Sequence, residues 1–389
     1  MRIDPEGPGN EQSKEPENRS RSAREVVPRL YTFYLYISSG CNLACRHCWI
    51  TPTWVNGKPS AGDCLDLDLL KSAVEEGKSI GLMSAKLTGG EPVLHPRFID
   101  LVDYLSAEGI SLTMETNGTL IDADMAKYLK NDTKLWFVSV SLDSVDPDKH
   151  DRFRGVRGAY HDAVRGIRYL VDAGFRPQVI MCPHRGNISE VEDMVRLAVE
   201  LGAGSVKFNP VTPTGRGKVM DEHGETLNYD EIIKLTRFIK GELRQRSPIS
   251  LFLEIPPAMA SISEIMQEKN AGGRCHVKNI LGILGNGEMA LCGIGKNIPE
   301  LCFGHLGRDS LREVWSFHPT LVKLRQDLDG EYPGICGDCI HATRCLTQCV
   351  ALNYERTGKL INPAFLCEEA ERRGIFPATR RRSFQRDAG

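Results

Sequence analysis

The sequence predicts an α/β fold built on a parallel sheet, and two features of the chain carry this prediction. From about residue 29 to residue 215, short apolar segments alternate with segments of helical periodicity. A glycine stands at most junctions between a helix and the next strand, as at Gly81, Gly109, Gly174 and Gly202. Strands that alternate with helices form right-handed βαβ units. The expected architecture is therefore an open or partial barrel of six β/α units.

The elements of this barrel are predicted in chain order. Six strands are expected at 30–38, 84–87, 111–114, 136–141, 178–181 and 205–208. Helices are expected after Asp66 and at 97–108, 123–130, 160–173 and 189–201. The pattern stops after residue 214, where a polar loop is followed by a predicted helix at 229–245.

The remaining segments differ in composition from the barrel. Residues 1–28 are charged and rich in Pro and Gly, and we expect them to be disordered. The barrel covers 29–215, a helical connecting region 216–271, a cysteine-rich domain 272–372 and a basic tail 373–389. A short charged tail is expected to be solvated.

Composition excludes several classes of function. The chain has no run of eighteen apolar residues, so we expect no membrane span. Its N-terminus has no apolar core of a secretory signal, which predicts a cytoplasmic protein. A formal net charge of −2 leaves no electrostatic footprint for nucleic acid.

Cysteine usage is the unusual feature of the composition. There are 13 cysteines, an odd number, in a long chain without an export signal. Disulfide frameworks belong to small secreted chains, whereas cytosolic thiols stay reduced. The clustered cysteines are therefore interpreted as metal ligands.

Three of these cysteines form a C-x3-C-x2-C motif, the triad, directly after the first predicted strand. They are Cys41, Cys45 and Cys48, and His47 lies among them. Zinc needs four ligands and stays possible if another residue supplies the fourth. Three thiolates on a cubane iron–sulfur cluster would instead leave one iron open to a small molecule. The spacing favours the cluster and leaves zinc open.

Polar motifs follow the next three strands. They are GGEP at 89–92, ETNGT at 115–119 and SLDS at 141–144. In parallel β/α folds, chemistry gathers at the carboxyl ends of the strands, so these motifs are expected at one rim with the triad. The two glycines let a ligand approach the backbone, and Glu91 can accept a hydrogen bond from an ammonium group. A plain turn is the alternative for each motif alone.

The triad after one strand and GGEP after the next resemble the radical S-adenosylmethionine (SAM) enzymes, over about residues 29–215. The resemblance implies a TIM-like partial barrel. It implies a [4Fe–4S] cluster held by the triad, whose open iron is chelated by the methionine moiety of SAM. Reductive cleavage of SAM then yields a 5′-deoxyadenosyl radical that abstracts a substrate hydrogen. An electron donor such as flavodoxin or ferredoxin is also implied.

The resemblance assigns SAM contacts to residues of these motifs. Ser141 and Asp143 would bond ribose hydroxyls, Arg154 would meet the carboxylate, and His47 stands where the family often has an aromatic beside adenine. The remaining candidates are Gly89, Gly90, Glu91, Pro92, Thr116 and Asn117. Turn, capping or surface roles are the alternatives for Thr116, Asn117, Ser141, Asp143 and Arg154. No catalytic acid or base is predicted.

A second cysteine set resembles the SPASM extension found on some of these enzymes, over about residues 272–372. A zinc ribbon would need two C-x2-C pairs, and only one is present. The resemblance implies two auxiliary clusters. The first would be held by Cys275, Cys292 and Cys349, and the second by Cys336, Cys339, Cys345 and Cys367. The fourth position of the first is open, or is filled by substrate, water or Cys302; a cluster with fewer iron atoms is the other alternative for this site.

SPASM relatives mostly modify ribosomally made peptides, and others act on small molecules such as tetrapyrroles. The resemblance therefore predicts oxidative modification of a precursor peptide, with crosslinking as the expected reaction. The alternative is oxidation or decarboxylation of a small molecule such as a tetrapyrrole side chain. A non-enzymatic cluster scaffold would not need GGEP beside an open triad. Gly293 follows Cys292 where sulfatase-maturing relatives have an acid, which disfavours formylglycine formation.

Peptide maturases often carry an N-terminal leader-binding domain of about eighty residues. Only about 28 residues precede the first predicted strand here, so leader recognition is expected from a separate protein or another surface. The segment YLYISSGCNLACRHCWITP resembles the corresponding segment of maturases encoded beside short precursor peptides, including the SynChlorMet-cassette type.

Overall fold

The computed structural model describes residues 27–50, 54–55, 58–262, 265 and 276–383. The predicted disorder of the first 26 residues and the predicted ligand Cys275 lie outside the described residues. In the described chain no helix is long and apolar enough to cross a membrane.

One sheet of ten strands organises the described residues, in the order β12-β11-β10-β1-β4-β5-β6-β7-β8-β9. Its strands are β1 (Thr32–Ser38), β4 (Ser84–Gly89), β5 (Ser111–Thr116), β6 (Leu135–Ser141), β7 (Gln178–Met181), β8 (Ser205–Phe208), β9 (Ser250–Leu253), β10 (Ile280–Ile283), β11 (Glu288–Ala290) and β12 (Cys302–His305). A separate antiparallel pair joins β2 (Trp54–Val55) and β3 (Lys58–Pro59).

The six predicted strands are confirmed as β1 and β4 to β8, and each pairs with the next in parallel. The helices that cross between them are α1 (Leu67–Ser79), α2 (Phe98–Ala107), α3 (Ala123–Asn131), α4 (Pro147–Arg154), α5 (Ala159–Asp172) and α6 (Val191–Glu200). Asp66 caps α1 by accepting from the backbone N–H groups of Asp68 and Leu69. The short helix α4 was missed because its sequence is almost wholly polar.

The sheet extends beyond the six predicted strands on both sides. β9 pairs in parallel with β8, and β10 pairs in parallel with β1. The prediction of a purely helical connection at 216–271 therefore missed a strand. That region holds α7 (Gly217–Glu222), α8 (Tyr229–Arg237), a π-helical turn Phe238–Leu243 and α9 (Arg244–Arg246) before β9. The proposed domain boundaries at residues 215 and 272 stay a prediction. The sheet itself crosses both of them, because β9 lies after residue 215 and β10 to β12 lie after residue 272.

The described part of the cysteine-rich region contains a β-hairpin. β10 and β11 pair antiparallel, and the turn between them includes Asn286 and Gly287. Two helices follow, α10 (Leu311–Phe317) and α11 (Pro319–Asp329), because Pro319 starts a new helix. They are followed by α12 (Ala342–Cys345), α13 (Val350–Thr357) and α14 (Phe365–Arg372).

The two faces of the sheet differ in chemistry. In β5, Leu112 and Met114 are buried in the core with the helices, while Ser111, Thr113 and Glu115 on the other face are half-buried. Strand residues alternate between faces, so the same polar face continues across the sheet. We call this concave side the lumen face, represented by Tyr34, Lys86, Glu115, Ser139, Gln178, Ser205 and Lys207.

The expectation of a solvated basic tail is wrong for residues 373–383. Phe376 and Arg380 are buried, and Arg380 Nη2 donates to the carbonyl oxygen of Ala260 at 3.0 Å. Ser383 donates to Asp338 through its backbone N–H at 2.9 Å and its hydroxyl at 2.8 Å. The tail thus packs against the segment that contains Cys336 and Cys339, a long-range contact that composition does not reveal.

A chain that ends at residue 262 lacks β10 and leaves the long edge of β1 unpaired. We expect this truncated chain to aggregate, because an exposed strand edge is a template for pairing with other chains. Size-exclusion chromatography tests this, with a chain that ends at residue 383 as the control. A truncated monomer with a cooperative thermal transition would contradict the prediction.

Candidate functional site

The triad loop follows β1 and is held by backbone hydrogen bonds to three other segments. Gly40 N–H donates to Ala61 O at 2.8 Å, and Ala44 N–H donates to Arg154 O at 3.0 Å. Cys48 O accepts from Arg216 N–H at 3.0 Å. The loop is therefore positioned by elements distant in sequence, including the end of α4 and the segment after β8.

The three thiols of the triad lie together in an apolar setting. Cys41 and Cys45 are buried and Cys48 is half-buried. Burial raises the pKa of the Cys41 thiol to about 12, and Glu91 and the other two thiols add to this rise. Burial also raises the pKa of Cys45, against the effect of Arg154. Three such thiolates require a strongly cationic group to stay ionised.

The chemistry of the triad fits a cluster better than a zinc ion. Three thiolates can hold three iron corners of a cubane, whereas a tetrahedral zinc ion needs a fourth ligand at the same centre. The donor set therefore fits the iron–sulfur alternative, for which Cys41, Cys45 and Cys48 stay the proposed ligands.

The GGEP segment lies directly against the start of the triad loop. Gly90 N–H donates to Ser38 O at 2.7 Å, and Glu91 N–H donates to Gly40 O at 2.9 Å. A Cβ added to Gly90 would overlap the carbonyl oxygen of Gly40. Only glycine allows this approach, so Gly90 couples the carboxyl ends of β1 and β4.

Glu91 is fully buried and organises the next motif. It accepts from Thr116 Oγ1 at 2.7 Å and from the backbone N–H groups of Asn117 at 2.8 Å and Val93 at 3.3 Å. Burial raises the pKa of this carboxyl, and these hydrogen bonds oppose the rise. Pro92 begins the turn that follows. The structure thus brings together four predicted residues, Glu91, Pro92, Thr116 and Asn117.

Asn117 also links this group to the triad. Its Nδ2 donates to Asn42 Oδ1 at 2.8 Å and lies 3.7 Å from Cys41 Sγ. Asn42 Nδ2 in turn donates to Thr119 Oγ1 at 2.7 Å. Asn42 was missed from the sequence, although its place between two triad cysteines could have marked it as a candidate.

Asp143 and Arg154 form a buried ion pair. Arg154 Nη2 lies 2.5 Å from Asp143 Oδ2, and the two side chains are 7% and 1% exposed. Asp143 Oδ1 accepts from Cys182 N–H at 2.7 Å, and Arg154 Nη1 donates to Cys45 Sγ at 3.5 Å. The Arg154 charge, despite burial, holds the pKa of Asp143 below its usual range. Ser141, at the end of β6, is half-buried beside this pair.

His47 belongs to a stack of three rings. Its imidazole is nearly parallel to Phe153 with centroids 4.5 Å apart, and Phe153 stacks on His184 at 4.5 Å. Burial lowers the pKa of His47 to about 3, so the ring is neutral at physiological pH. Its Nδ1 is buried without a partner in the structure. A neutral ring with a free nitrogen suits a flat heterocyclic ligand better than proton transfer.

The four cysteines assigned to the second auxiliary cluster come together. Cys336, Cys339 and Cys367 are buried and Cys345 is half-buried. Burial raises the pKa of Cys336 to about 12, and Cys345 and Cys339 raise it further. Burial and the other three thiols also raise the pKa of Cys367. This set matches the donors of a complete four-thiolate site.

Two of the three cysteines assigned to the first auxiliary cluster are described. Burial raises the pKa of Cys292 to about 12, and the nearby Cys349 adds to the rise. Cys302 is positioned differently, with its thiol donating to Gly295 O at 3.3 Å. A Cβ on Gly293 would overlap the rings of Tyr36 and Trp49. An acidic side chain therefore has no room at Gly293.

A small pocket lies between the rim and the hairpin of the cysteine-rich region. It is lined by Tyr36, Ser38 and Gly89 of the barrel and by Asn286 and Gly293 of the hairpin segment. The rim of the barrel and the cysteine-rich region therefore share this pocket.

The sequence interpretation missed the charged side chains of the lumen face. Lys86 Nζ lies 2.9 Å from Glu115 Oε1 and 4.3 Å from the ring centre of Tyr34. Lys86 and Glu115 alternate with buried apolar residues along their strands. This alternation could have identified them from the sequence. Glu115 stood inside a motif that was noted, but only its neighbours were assigned a role.

Comparisons with known proteins agree with this geometry. Residues 35–198 match the model of the radical SAM superfamily, and residues 275–340 match that of the SPASM iron–sulfur cluster-binding domain. The AdoMet-dependent heme synthase of Methanosarcina barkeri is 30% identical over 353 residues, which cover 88% of this chain and 96% of the relative. The mycofactocin maturase MftC of Mycobacterium ulcerans is 27% identical, with 82% of each chain covered.

A solved structure is similar in fold. Streptococcus suis SuiB bound to S-adenosylmethionine superposes with a TM-score of 0.68 at 17% identity, covering 88% of this chain and 78% of that chain. The overall fold is therefore shared with SuiB.

Replacing Gly90 with alanine tests the contact between the two strand ends. We expect Gly90→Ala to lower the free energy of unfolding by about 3 kcal/mol or more, because the overlapping atom is backbone and cannot rotate away. Gly241→Ala is the matched control, since nothing lies within 4 Å of an added Cβ there. The control is expected to change stability by less than about 1 kcal/mol. Equal melting temperatures for both variants would refute the contact.

Replacing Asp143 with asparagine removes one partner of a buried pair and leaves Arg154 uncompensated. A loss of about 3–5 kcal/mol in the free energy of unfolding is expected. Asp162→Asn breaks the exposed pair with Arg165 and should cost no more than about 1 kcal/mol. Chemical denaturation of both variants decides this, and a loss below 1 kcal/mol for Asp143→Asn would show that the pair does not need its carboxylate.

Proposed function

Because the chain belongs to the radical SAM superfamily and carries a SPASM domain, we propose that it oxidatively modifies a ribosomally made peptide. That it is an enzyme of this family follows from its two domains and its relatives. The peptide substrate is the part that rests on the chemistry of the lumen face.

The residues of the site would hold the groups that the family requires. Cys41, Cys45 and Cys48 would hold the SAM-cleaving [4Fe–4S] cluster, and the two cysteine sets of the SPASM domain would hold the auxiliary clusters. When bound, the cluster and SAM would together supply a 5′-deoxyadenosyl radical able to remove a hydrogen atom from the substrate. The backbone at Gly89 and Gly90 would leave room for SAM.

The other predicted contacts have defined parts in this proposal. Glu91 orients Thr116 and Asn117 at the rim, and the neutral ring of His47 would lie beside adenine. Asp143 and Arg154 form an ion pair with each other. Their remaining hydrogen-bond donors and acceptors would help Ser141 to position the ligand.

The observation that carries the peptide proposal is the continuous polar row on the lumen face. Glu115, Ser139, Gln178 and Ser205 are register neighbours across four strands. Ser139 Oγ donates to Gln178 Oε1 at 3.4 Å, and Gln178 Nε2 donates to Ser205 Oγ at 3.1 Å. A packed β/α barrel fills its interior with branched apolar side chains. This lumen face is instead prepared for a hydrogen-bonding ligand.

Two ion pairs flank the polar row. Lys86 pairs with Glu115, and Lys207 lies 4.0 Å from Glu254 just beyond β9. In each pair the carboxylate is the more exposed partner, at 40% for Glu115 against 23% for Lys86. Lys86 and Lys207 both lower the pKa of Glu115, so its carboxylate is ionised at neutral pH.

These groups suit a peptide better than a flat apolar macrocycle. A peptide can pair its amide groups with the hydroxyls, the amide of Gln178 and the carboxylates. An apolar ring over the same row could not use the remaining donors and acceptors of these groups, whereas a peptide backbone can.

Oxidation of a tetrapyrrole side chain is the second candidate function. It is favoured by the heme synthase of Methanosarcina barkeri, which is similar along 96% of its own length. The mycofactocin maturase supports the peptide candidate at nearly the same identity. For a peptide, a separate leader-binding protein and a flavodoxin or ferredoxin donor are the proposed partners.

A reconstitution experiment tests the proposal. The cluster-loaded protein is incubated with SAM, reductant and synthetic peptides translated from short reading frames beside its gene, or with an iron porphyrin bearing propionate groups. We expect 5′-deoxyadenosine to be released and one peptide to lose two hydrogen atoms by mass spectrometry. Cys45→Ala should abolish both, while Cys64→Ala, outside the proposed ligand sets, should retain them.

The outcomes separate the candidates. A mass change in the porphyrin with none in the peptides would overturn the peptide proposal in favour of the second candidate. Release of 5′-deoxyadenosine that persists in Cys45→Ala would refute the assignment of the triad.

A further inference from the structure

Arg216 is held against the triad loop by its backbone. It follows β8, and its N–H donates to Cys48 O at 3.0 Å. A Cβ on the preceding Gly215 would overlap the Cα atom of Trp49, so the two segments touch along their main chains. The position of the Arg216 side chain is therefore tied to the position of the triad.

The guanidinium group of Arg216 has donors without partners. Its Nε and Nη2 atoms are buried and make no hydrogen bond in the structure. The ion pairs found among the described residues do not include Arg216. Its charge reaches His47, whose pKa it helps to lower. Buried guanidinium donors are costly to leave unpaired, which indicates that an anion completes the site.

Arg154, the other arginine of the site, is only partly in this condition, because its Nε is buried without a partner while its other two guanidinium nitrogens have partners. Its guanidinium is paired with Asp143 at 2.5 Å and contacts Cys45 Sγ at 3.5 Å. The contact between Arg154 and a ligand carboxylate stays a prediction, and Arg154 already has a carboxylate partner in Asp143. Arg216 differs because it has no carboxylate partner among the described residues.

The segment around Arg216 also reaches the cysteine-rich region. Thr214 Oγ1 donates to Glu355 Oε2, and Lys218 Nζ lies 2.8 Å from Glu355 Oε1. Glu355 lies on α13, the helix that follows Cys349. Arg216 is therefore fixed between the triad and the SPASM domain, where a ligand would contact both.

We propose that Arg216 is a carboxylate-binding residue of the site, which receives either the methionine carboxylate of SAM or a carboxylate of the substrate. Guanidinium and carboxylate groups match in planar, bidentate geometry. Both sources supply the same chemistry, and the experiment separates them. Only the second possibility, a carboxylate of the substrate, rests on the proposed peptide function.

The first arm measures binding of SAM and of decarboxylated SAM to the cluster-loaded protein by anaerobic equilibrium dialysis. If SAM is the source, Arg216→Gln weakens SAM binding roughly 10- to 100-fold and leaves decarboxylated SAM unaffected. Arg216→Lys keeps the charge without the planar fork and is expected to fall between the two. Arg168→Gln, on the exposed outer face of α5, is the control for removing a positive charge.

The second arm uses the same proteins saturated with S-adenosylhomocysteine. The probes are acetyl-Gly-Glu-Gly-amide and acetyl-Gly-Gln-Gly-amide, followed by saturation-transfer NMR. If a substrate carboxylate is the source, the wild-type protein prefers the glutamate peptide about tenfold or more, and Arg216→Gln abolishes that preference. If neither peptide binds to any variant, the peptide function fails and only the SAM arm decides the role of Arg216.

The proposal is supported if Arg216→Gln loses the preference for SAM over decarboxylated SAM. It is also supported if this variant loses the preference for the glutamate peptide over the glutamine peptide. The proposal is overturned if Arg216→Gln keeps the wild-type ratio of affinities in every pair of probes that the wild-type protein binds. Iron content and the thermal transition of Arg216→Gln are measured first. If that variant does not fold, Arg216→Lys takes its place, and an unchanged SAM ratio and peptide ratio in Arg216→Lys then overturns the proposal.

Discussion

The close approach of Gly90 to the carbonyl oxygen of Gly40 is the constraint on which the rest of the site depends. It joins the carboxyl ends of β1 and β4, so the triad loop begins at a fixed place beside GGEP. Glu91 then continues the connection to β5 through Thr116 and Asn117. Each step is a hydrogen bond between neighbouring strand ends. The rim is therefore held together by contacts between residues of the chain itself.

Buried charge is the second principle of the site. The thiols of the triad are expensive to ionise where they lie, so the fold requires a cationic group to hold them as thiolates. Asp143 and Arg154 compensate each other, and Lys86 and Glu115 do the same on the lumen face. Arg216 lacks such a partner among the described residues. The uncompensated groups thus lie where ligands are expected, and the compensated groups form the supporting framework.

The sequence predicted the six central strands and the placement of its motifs at one rim, because these follow from local periodicity and the rule for parallel strands. It did not predict that β9 and β10 extend the sheet, since each is short and its partner is distant in sequence. The Lys86–Glu115 pair and the buried, unpartnered donors of Arg216 depend on contacts that a linear motif does not contain. The tail was misjudged for the same reason, as its basic residues pack against Asp338 and Ala260.

We propose above all that the triad holds a cluster with one open iron. Mössbauer spectra of iron-enriched protein with and without SAM test this most directly. SAM is predicted to shift the signal of a single iron site. The variant with Cys41, Cys45 and Cys48 all replaced by alanine should contain about four fewer iron atoms per chain and show no shift. A wild-type spectrum that SAM leaves unchanged, or an iron content that survives the triple replacement, would contradict the account.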